Sequence, residues 1–496
     1  MDNRYYIGID LGTSCVKVAL FDKLGHTLKT VSSAYTLSQP KNGWAEQDPN
    51  AWWSAVKESL AEVCAGVETI AGIGLTGQMH GLVMLDGANE VIRPAILWCD
   101  QRSAAECEQI TALIGRDRLI EITANPALPS FTASKILWVK NHEPENYAQC
   151  KHILLPKDYI RYKLTDDFAT DVSDASGMQL LDVKKRAWSD EILERLGIDR
   201  AWLPTVYESP EVTGSVQIGL CKGVPVIAGA GDNAAAAVGT GVVKNGKAFV
   251  TIGTSGVVFV HTDEMITDKQ GRIHTFCCAV PGKWHVMGVT QAAGLSLKWF
   301  RDTLADNLSY SDIDALVDTV LVGADGLIYL PYLMGERTPW LDENARGVFF
   351  GLSAIHTKAH LVRAVMEGVT FSLLDCLNII RENGAQTKSL IACGGGATSG
   401  IWRAMMADCF GIPIATASST DAPCLGAAVL AMVGTGIYPG VEQACAAIVQ
   451  ENNAIPPDLS MTNAYARYYA VYMTLYPHLR DSFGELQEVL RTEESM

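Results

Sequence analysis

Apolar runs broken by turn residues fill the first forty positions: "YYIGID", then "VKVALFD" after Gly12-Thr13-Ser14, then "HTLKTVSS" after Leu24-Gly25. Short apolar runs punctuated in this way predict a three-stranded meander. Asp48-Pro49 then supplies an N-cap and a first-turn proline for a helix on which Trp52, Trp53, Val56, Leu60 and Val63 recur at helical spacing. A buried strand, "TIAGIGLTG", follows. Meander, helix and strand in that order predict a mixed α/β sheet with helices on its faces.

The same pattern returns in the second half as "KAFVTIG", "GVVFVHT" and, after an insertion, "KWHVMGV". "IDLGTSCVKVALFD" (9–22) reappears as "VTIGTSGVVFVHTD" (250–263), so Gly12, Thr13 and Ser14 align with Gly253, Thr254 and Ser255, while Asp10 aligns with Thr251. In a chain of 496 residues this implies an internal duplication into two domains, 1–243 and 244–496, with a cleft between them. The boundary falls at "GVVKNGK" (241–247), which nearly spells a P-loop; Ala248 stands where a magnesium-binding hydroxyl would be, and a strand follows instead of a helix. Tyr465, Tyr469, Tyr472 and Leu475 place a packed helix over 460–491.

Composition narrows the chemistry. The chain is 48% hydrophobic and 19% charged, with a formal net charge of −16 and no basic cluster, which disfavours nucleic acid as a partner. No apolar run reaches membrane-spanning length and no signal-peptide pattern opens the chain, so a cytoplasmic protein is expected. The 13 cysteines are odd in number and lack C-x-x-C spacing, the pattern of small buried hydrophobes rather than of a disulfide framework or zinc site.

A single Gly-Thr-Ser turn reads more readily as a plain hairpin than as a phosphate clamp. Two such turns at equivalent places in duplicated halves would face each other across a cleft, which favours the clamp. "CGGGATSG" places Gly394, Gly395 and Gly396 between a strand and a helix, where bare backbone suits either close packing or the approach of a flat ring; residues 420–431 form a similar turn into a small-residue helix. No G-x-G-x-x-G opens a helix, so a dinucleotide fingerprint is missing. Asp232 follows a buried strand and starts an Ala-rich helix, so it is either a cap or a carboxylate that accepts a proton during phosphoryl transfer. Asp10, beside the first turn, suits Mg²⁺ held through water, a task that one carboxylate near an anionic ligand performs better than two.

These residues together resemble the FGGY family of carbohydrate kinases, on the ribonuclease H-like fold shared by sugar kinases, Hsp70 and actin, over essentially the whole chain. "GIDLGTS" and "IGTSG" resemble its two phosphate turns. "SFTASKILWVKNH" (130–142) is similar to one family signature and "GVFFGLSAIHTKAHLVRAVME" (347–367) to the other. Shorter pieces, "GWAEQDP", "GQMHG", "LLPKDY", "GDNAAAAVG" and "PYLMGERTP", resemble members that act on D-xylulose. The resemblance implies ATP- and Mg²⁺-dependent phosphorylation of a ketopentose, D-xylulose at its 5-hydroxyl, with another pentulose or a polyol as the alternative acceptor. An actin- or Hsp70-like ATPase would share the two turns but not the signatures, and both Asp10 and Asp232 argue against a catalytically dead sugar sensor. By the same resemblance Asp232 is the base and Asp10 the metal-side carboxylate. Met79 and His80 contact the sugar, with Trp44, Asp100, Arg102 and Asn233 around it. Gly12, Thr13, Ser14, Lys17, Gly253, Thr254 and Ser255 hold phosphates, and Gly394, Gly395, Gly396 and Ala397 face the adenosine. Cys99 departs from the asparagine that many such kinases carry. Partners are a small sugar and ATP, with a homodimer left open.

Overall fold

The computed structural model describes residues 4–494 apart from Glu68, Leu220, Asn307, Thr420 and Asn453; Thr420, the first residue of the small-residue segment, thus lies outside it. Strands β1 (Tyr5–Leu11), β2 (Cys15–Asp22) and β3 (Thr27–Ala34) form the expected meander, and helix α1 (Pro49–Cys64) follows. The Asp48 carboxylate accepts from the Asn50 N–H at 2.9 Å, satisfying one orphan donor of the first turn. Trp52, Val56 and Val63 are fully buried beneath it, and each such side chain contributes about 1.5–3 kcal/mol. Strand β4 (Ile70–Gly77) pairs parallel to β1. With β5 (Val212–Ser215) and β6 (Pro225–Ile227) the sheet order is β5-β6-β4-β1-β2-β3, and β7 (Ala230–Gly231) also pairs with β4.

The second half rebuilds this plan. β8 (Ala248–Ile252), β9 (Gly256–Thr262) and β11 (Trp284–Thr290) form an antiparallel meander, β12 (Leu390–Cys393) pairs parallel to β8, and β13 (Ile414–Thr416) lies beyond it. The insertion adds an edge strand, β10 (His274–Cys277), giving the order β10-β11-β9-β8-β12-β13. The terminal helix (Leu459–Glu494) buries Tyr465, Tyr472 and Leu475.

Two helices bind the halves. Helix α2 (Asp232–Gly239) belongs by sequence to the first half, yet its Ala237 and the following Val242 pack with Phe249, Phe259 and Ile391 of the second sheet. Helix α3 (Ala422–Gly434), from the second half, lies instead on β1 and β4 of the first and crosses α2. Glycines permit both contacts: a Cβ on Gly8 would stand 2.0 Å from the Cys424 carbonyl oxygen, and one on Gly74 would stand 1.9 Å from that of Ala427. Chain order and packing therefore diverge at α3, which the sequence division places with the second domain. Among the described residues no helix is long and apolar enough to cross a membrane, and all 13 cysteines are unpaired.

Candidate active site

The two Gly-Thr-Ser turns are built alike. Each closes with a glycine N–H donating across the turn, Gly12 to the Cys15 carbonyl at 3.1 Å and Gly253 to the Ser255 carbonyl at 3.0 Å, and Ser14 and Thr254 are exposed at the tips. The first turn is also braced from behind. The Trp98 indole N–H donates to Thr13 Oγ1 at 3.0 Å, and Thr13 Oγ1 donates to Gln78 Oε1 at 3.3 Å. Gln47 Nε2 donates to the Thr13 carbonyl at 2.7 Å, while its Oε1 accepts from Gln78 and Trp52. Gln47 and Gln78 sit inside sequence pieces already singled out and Trp98 precedes Cys99, but nothing in their spacing announces that they meet.

Beside the second turn lies a cavity of about 270 Å³, lined by Gly253, Thr254, Leu295, Tyr310, Gly395 and Gly396 among others. Packing explains Gly394, whose φ is 80° and whose Cβ would stand 2.7 Å from the Ile252 carbonyl oxygen. It does not explain Gly395, where a Cβ would meet nothing within 4 Å, so the open backbone there is free for a ligand. Ala397 is 7% exposed and its methyl belongs to the core, which leaves only its backbone toward the turn. Tyr310 and Leu295 come from helices that the sequence reading did not connect with this site.

At the other side of the first turn, α3 brings Asp421 to Asp10, with a ligand atom of each, and of Cys424, within 4.8 Å of one another. Burial, then the charges of Asp232 and Asp421, push Asp10 up to about 7, against the pull of Lys17. The Lys17 ammonium itself pairs with Asp421 at 3.4 Å. Three carboxylates against one lysine leave a deficit of positive charge, and carboxylate oxygens are the donors that a hard cation takes. The Cys424 thiol is pushed well above its ordinary range by burial and the two aspartates, so it stays protonated and offers a hard cation little. The residues fit Mg²⁺.

Asp232 is half-buried at the first position of α2. Its Oδ1 accepts from the Asn233 backbone N–H at 2.7 Å and from Asn233 Nδ2 at 2.9 Å. Oδ2 has neither of these bonds. Burial outweighs those bonds and pushes Asp232 up to about 6. The strand end before it is held by the Gly231 N–H, which donates to Ser173 Oγ at 3.1 Å; Ser173 Oγ donates in turn to Asp171, which pairs with the fully buried Lys157 at 2.9 Å.

Met79 packs against this strand, since a Cβ on Gly231 would stand 2.9 Å from its sulfur. His80 adjoins it with φ 67°, a left-handed conformation that costs a non-glycine residue about 1–2 kcal/mol. That backbone is fixed through the His80 carbonyl, which accepts from Thr132 Oγ1 at 3.1 Å and Lys135 Nζ at 3.0 Å. Nδ1 of His80 lies 2.9 Å from the Gly177 carbonyl, so it carries the proton and Nε2 carries the lone pair. Burial first, then Lys135 and Arg337, hold the ring well below the ordinary imidazole range, hence neutral. Burial likewise pushes Lys135 down to about 7, with Asp100 pulling it back. Rings from both halves surround His80: Phe131 edge-on at 5.0 Å and Phe276 of β10 at 6.0 Å.

Two matches with known proteins decide the family. The model of the FGGY family of carbohydrate kinases, N-terminal domain, matches residues 5–239, and that of its C-terminal domain matches 248–435. The chain belongs to the FGGY family of carbohydrate kinases. A xylulose kinase from Bacillus subtilis (strain 168) is 39% identical over 488 residues, covering 96% of this chain and 98% of the relative. The crystal structure of a xyloylose kinase from Brucella ovis is 36% identical with a TM-score of 0.91, covering 96% and 99%. That of a gluconate kinase from Lactobacillus acidophilus is 28% identical with a TM-score of 0.93, covering 98% and 100%.

In this kinase of sugar and ATP, Asp100 and Arg102 bond first to one another. Asp100 is fully buried, and its oxygens accept from the Ala45 N–H at 2.6 Å and from Arg102 at 2.7–3.0 Å. Arg102 also donates to Glu46 at 2.7 Å and lies 3.7 Å over the Trp44 ring, which is edge-on to Trp138 at 5.3 Å. These bonds form a bracket behind Trp44 that holds its ring in place. Cys99 is half-buried and packs against the core of the first half.

Proposed function

We propose that this kinase transfers the γ-phosphoryl group of ATP to the 5-hydroxyl of D-xylulose, with 1–243 supplying the sugar site and base and 244–496 the nucleotide site. The observation that carries the reading is the contact of Met79 with Gly231, which sets the sugar motif directly against the base. Sequence kinship to xylulose kinases supports the choice of acceptor. The free Oδ2 of Asp232 takes the proton of the attacking hydroxyl as the bond to phosphorus forms, and a base raised to about 6 is poised for this near neutral pH. His80 Nε2 accepts from a sugar hydroxyl, and Met79 with the surrounding rings excludes water. The backbone N–H groups and hydroxyls of the two turns, Ser14, Thr254 and Ser255 foremost, hold the phosphates. Mg²⁺, when bound, neutralises phosphate charge; Asp10 and Asp421 would hold it, with Lys17 balancing Asp421.

A coupled ADP-release assay over D-xylulose, L-xylulose, ribulose, glycerol and gluconate tests the acceptor. The highest kcat/KM is expected for D-xylulose, and a clearly higher value for any other member would overturn the choice. Asp10→Asn is expected to cut turnover at millimolar Mg²⁺ and to recover in part as Mg²⁺ is raised, because a weakened metal site is refilled by mass action. Recovery absent at every Mg²⁺ concentration would remove Asp10 from the metal site.

A further inference from the structure

Arg337 is half-buried and, among the described residues, its guanidinium makes no hydrogen bond and no ion pair. Arg93 and Arg102 pair with Glu46, and Arg363 with Glu367 and two carbonyls, whereas half-buried Arg403, like Arg337, has no side-chain hydrogen bond among the described residues; Arg337 differs in its place beside the sugar motif. The Arg337 nitrogens are not sealed from solvent, so they are open to a ligand, and the charge-assisted bonds they could make are among the stronger ones a protein makes.

The placement of Arg337 is fixed from both sides. Glu336, 3% exposed, accepts from Thr290 Oγ1 at 2.6 Å, the Gln291 N–H at 2.9 Å, Ser372 Oγ at 3.2 Å and the Arg337 N–H at 2.7 Å. The Thr338 N–H donates to the Val289 carbonyl at 3.0 Å, and the Val289 N–H donates to Thr338 Oγ1 at 3.1 Å. Residues 336–338 are thus pinned to the end of β11. Val289 shares an apolar cluster with Phe131, Phe276 and Met287, and Phe131 is the ring set edge-on to His80. The charge of Arg337 is felt at His80, Lys135 and His274, lowering each, whereas Asp10 answers to Asp232, Asp421 and Lys17, and Asp232 to burial and Asn233. Arg337 therefore stands at the sugar end of the cleft, away from the phosphates.

We infer that Arg337 binds the carbonyl and hydroxyl oxygens at the C1–C2 end of a ketose, and so sets which acceptors the enzyme takes. This rests on the ketose reading above: with the 5-hydroxyl at Asp232, the opposite end of the chain reaches the guanidinium. A planar fork of donors matches adjacent carbonyl and hydroxyl oxygens, and a polyol lacks the carbonyl.

The test uses the full chain with Arg337→Gln and Arg337→Lys, steady-state kinetics on D-xylulose and on the corresponding pentitol, and thermal unfolding of each variant. Arg337→Gln is expected to raise the KM for D-xylulose by roughly 10–100-fold, the worth of lost charge-assisted bonds, and to shrink the ketose-over-pentitol ratio of kcat/KM by a similar factor. The KM for ATP should stay within about twofold, as for an interaction made with sugar alone. Arg337→Lys should restore part of the sugar affinity, and it keeps the proposal testable if the glutamine variant does not fold. Unchanged sugar constants in a variant that melts like the wild type, or equal losses for ketose and pentitol, overturn the assignment. A wild-type enzyme that prefers a non-ketose acceptor overturns the ketose reading instead, and the two failures are read from different proteins.

Discussion

Replacing Asp232 by asparagine is expected to lower the rate of sugar phosphorylation by roughly 10²–10⁴-fold, the range a general base supplies. The amide keeps the size of the side chain and an oxygen for the Asn233 donors, but Oδ2, the only proton acceptor free of those bonds, becomes an NH₂ group. Binding of sugar and nucleotide should persist by calorimetry, because neither depends on the lost lone pair. The pH profile separates this loss from misfolding. In the wild type the base must be ionised, so activity should fall as pH drops through about 6, some two units above an ordinary aspartate, and the variant's residual activity should lack that limb. Stability moves the other way. A carboxyl whose folded pKa is raised binds more protons folded than unfolded between about 4 and 6, so ionising it costs stability above that window. Asp232→Asn removes this cost, and its melting temperature at pH 7 should not lie below the wild type. Near-normal turnover would return Asp232 to the role of a helix first-turn acid.

Much of this fold is legible in the sequence because the signals are local. Strand runs between glycine turns, a capped helix at Asp48-Pro49 and the repeated Gly-Thr-Ser place both meanders within a residue or two. Contacts between distant segments are not legible in this way. Asp421 reaches Asp10 only because α3 leaves its own half, and no local pattern encodes that crossing. Asp100 and Arg102 lie near the sugar motif in sequence, but their mutual bonding turns them inward, which residue type alone does not reveal. Arg337 lies in a piece quoted only for its resemblance, and its interest depends on what it fails to touch. Gly8 and Gly74 look like ordinary strand glycines until α3 is laid across them.

That crossing yields the other large effect, expected for Gly426→Ala. A methyl there would stand 1.9 Å from the Ala235 carbonyl oxygen, 2.7 Å from its carbon and 3.0 Å from the Gly239 nitrogen, all backbone of α2. No rotamer change relieves a clash with main chain, so α3 must withdraw from α2 by about an ångström, against an interior packed like a crystal. The reverse side allows no retreat, because the Cys424 and Ala427 carbonyls already fill the space over Gly8 and Gly74. Overpacking costs about 1–3 kcal/mol where neighbours adjust, and here the loss should reach or exceed the top of that range. Urea unfolding measures it, with Gly484→Ala as the control. A methyl on Gly484, in the terminal helix, meets nothing within 4 Å, and the exchange should stabilise by up to about 1 kcal/mol through helix propensity. The α3 variant that still folds should also lose Mg²⁺-dependent activity, since moving α3 carries Asp421 away from Asp10. A Gly426→Ala protein as stable as the wild type would show that the two helices do not cross in backbone contact, and with that the link between the two sheets would have to be sought elsewhere.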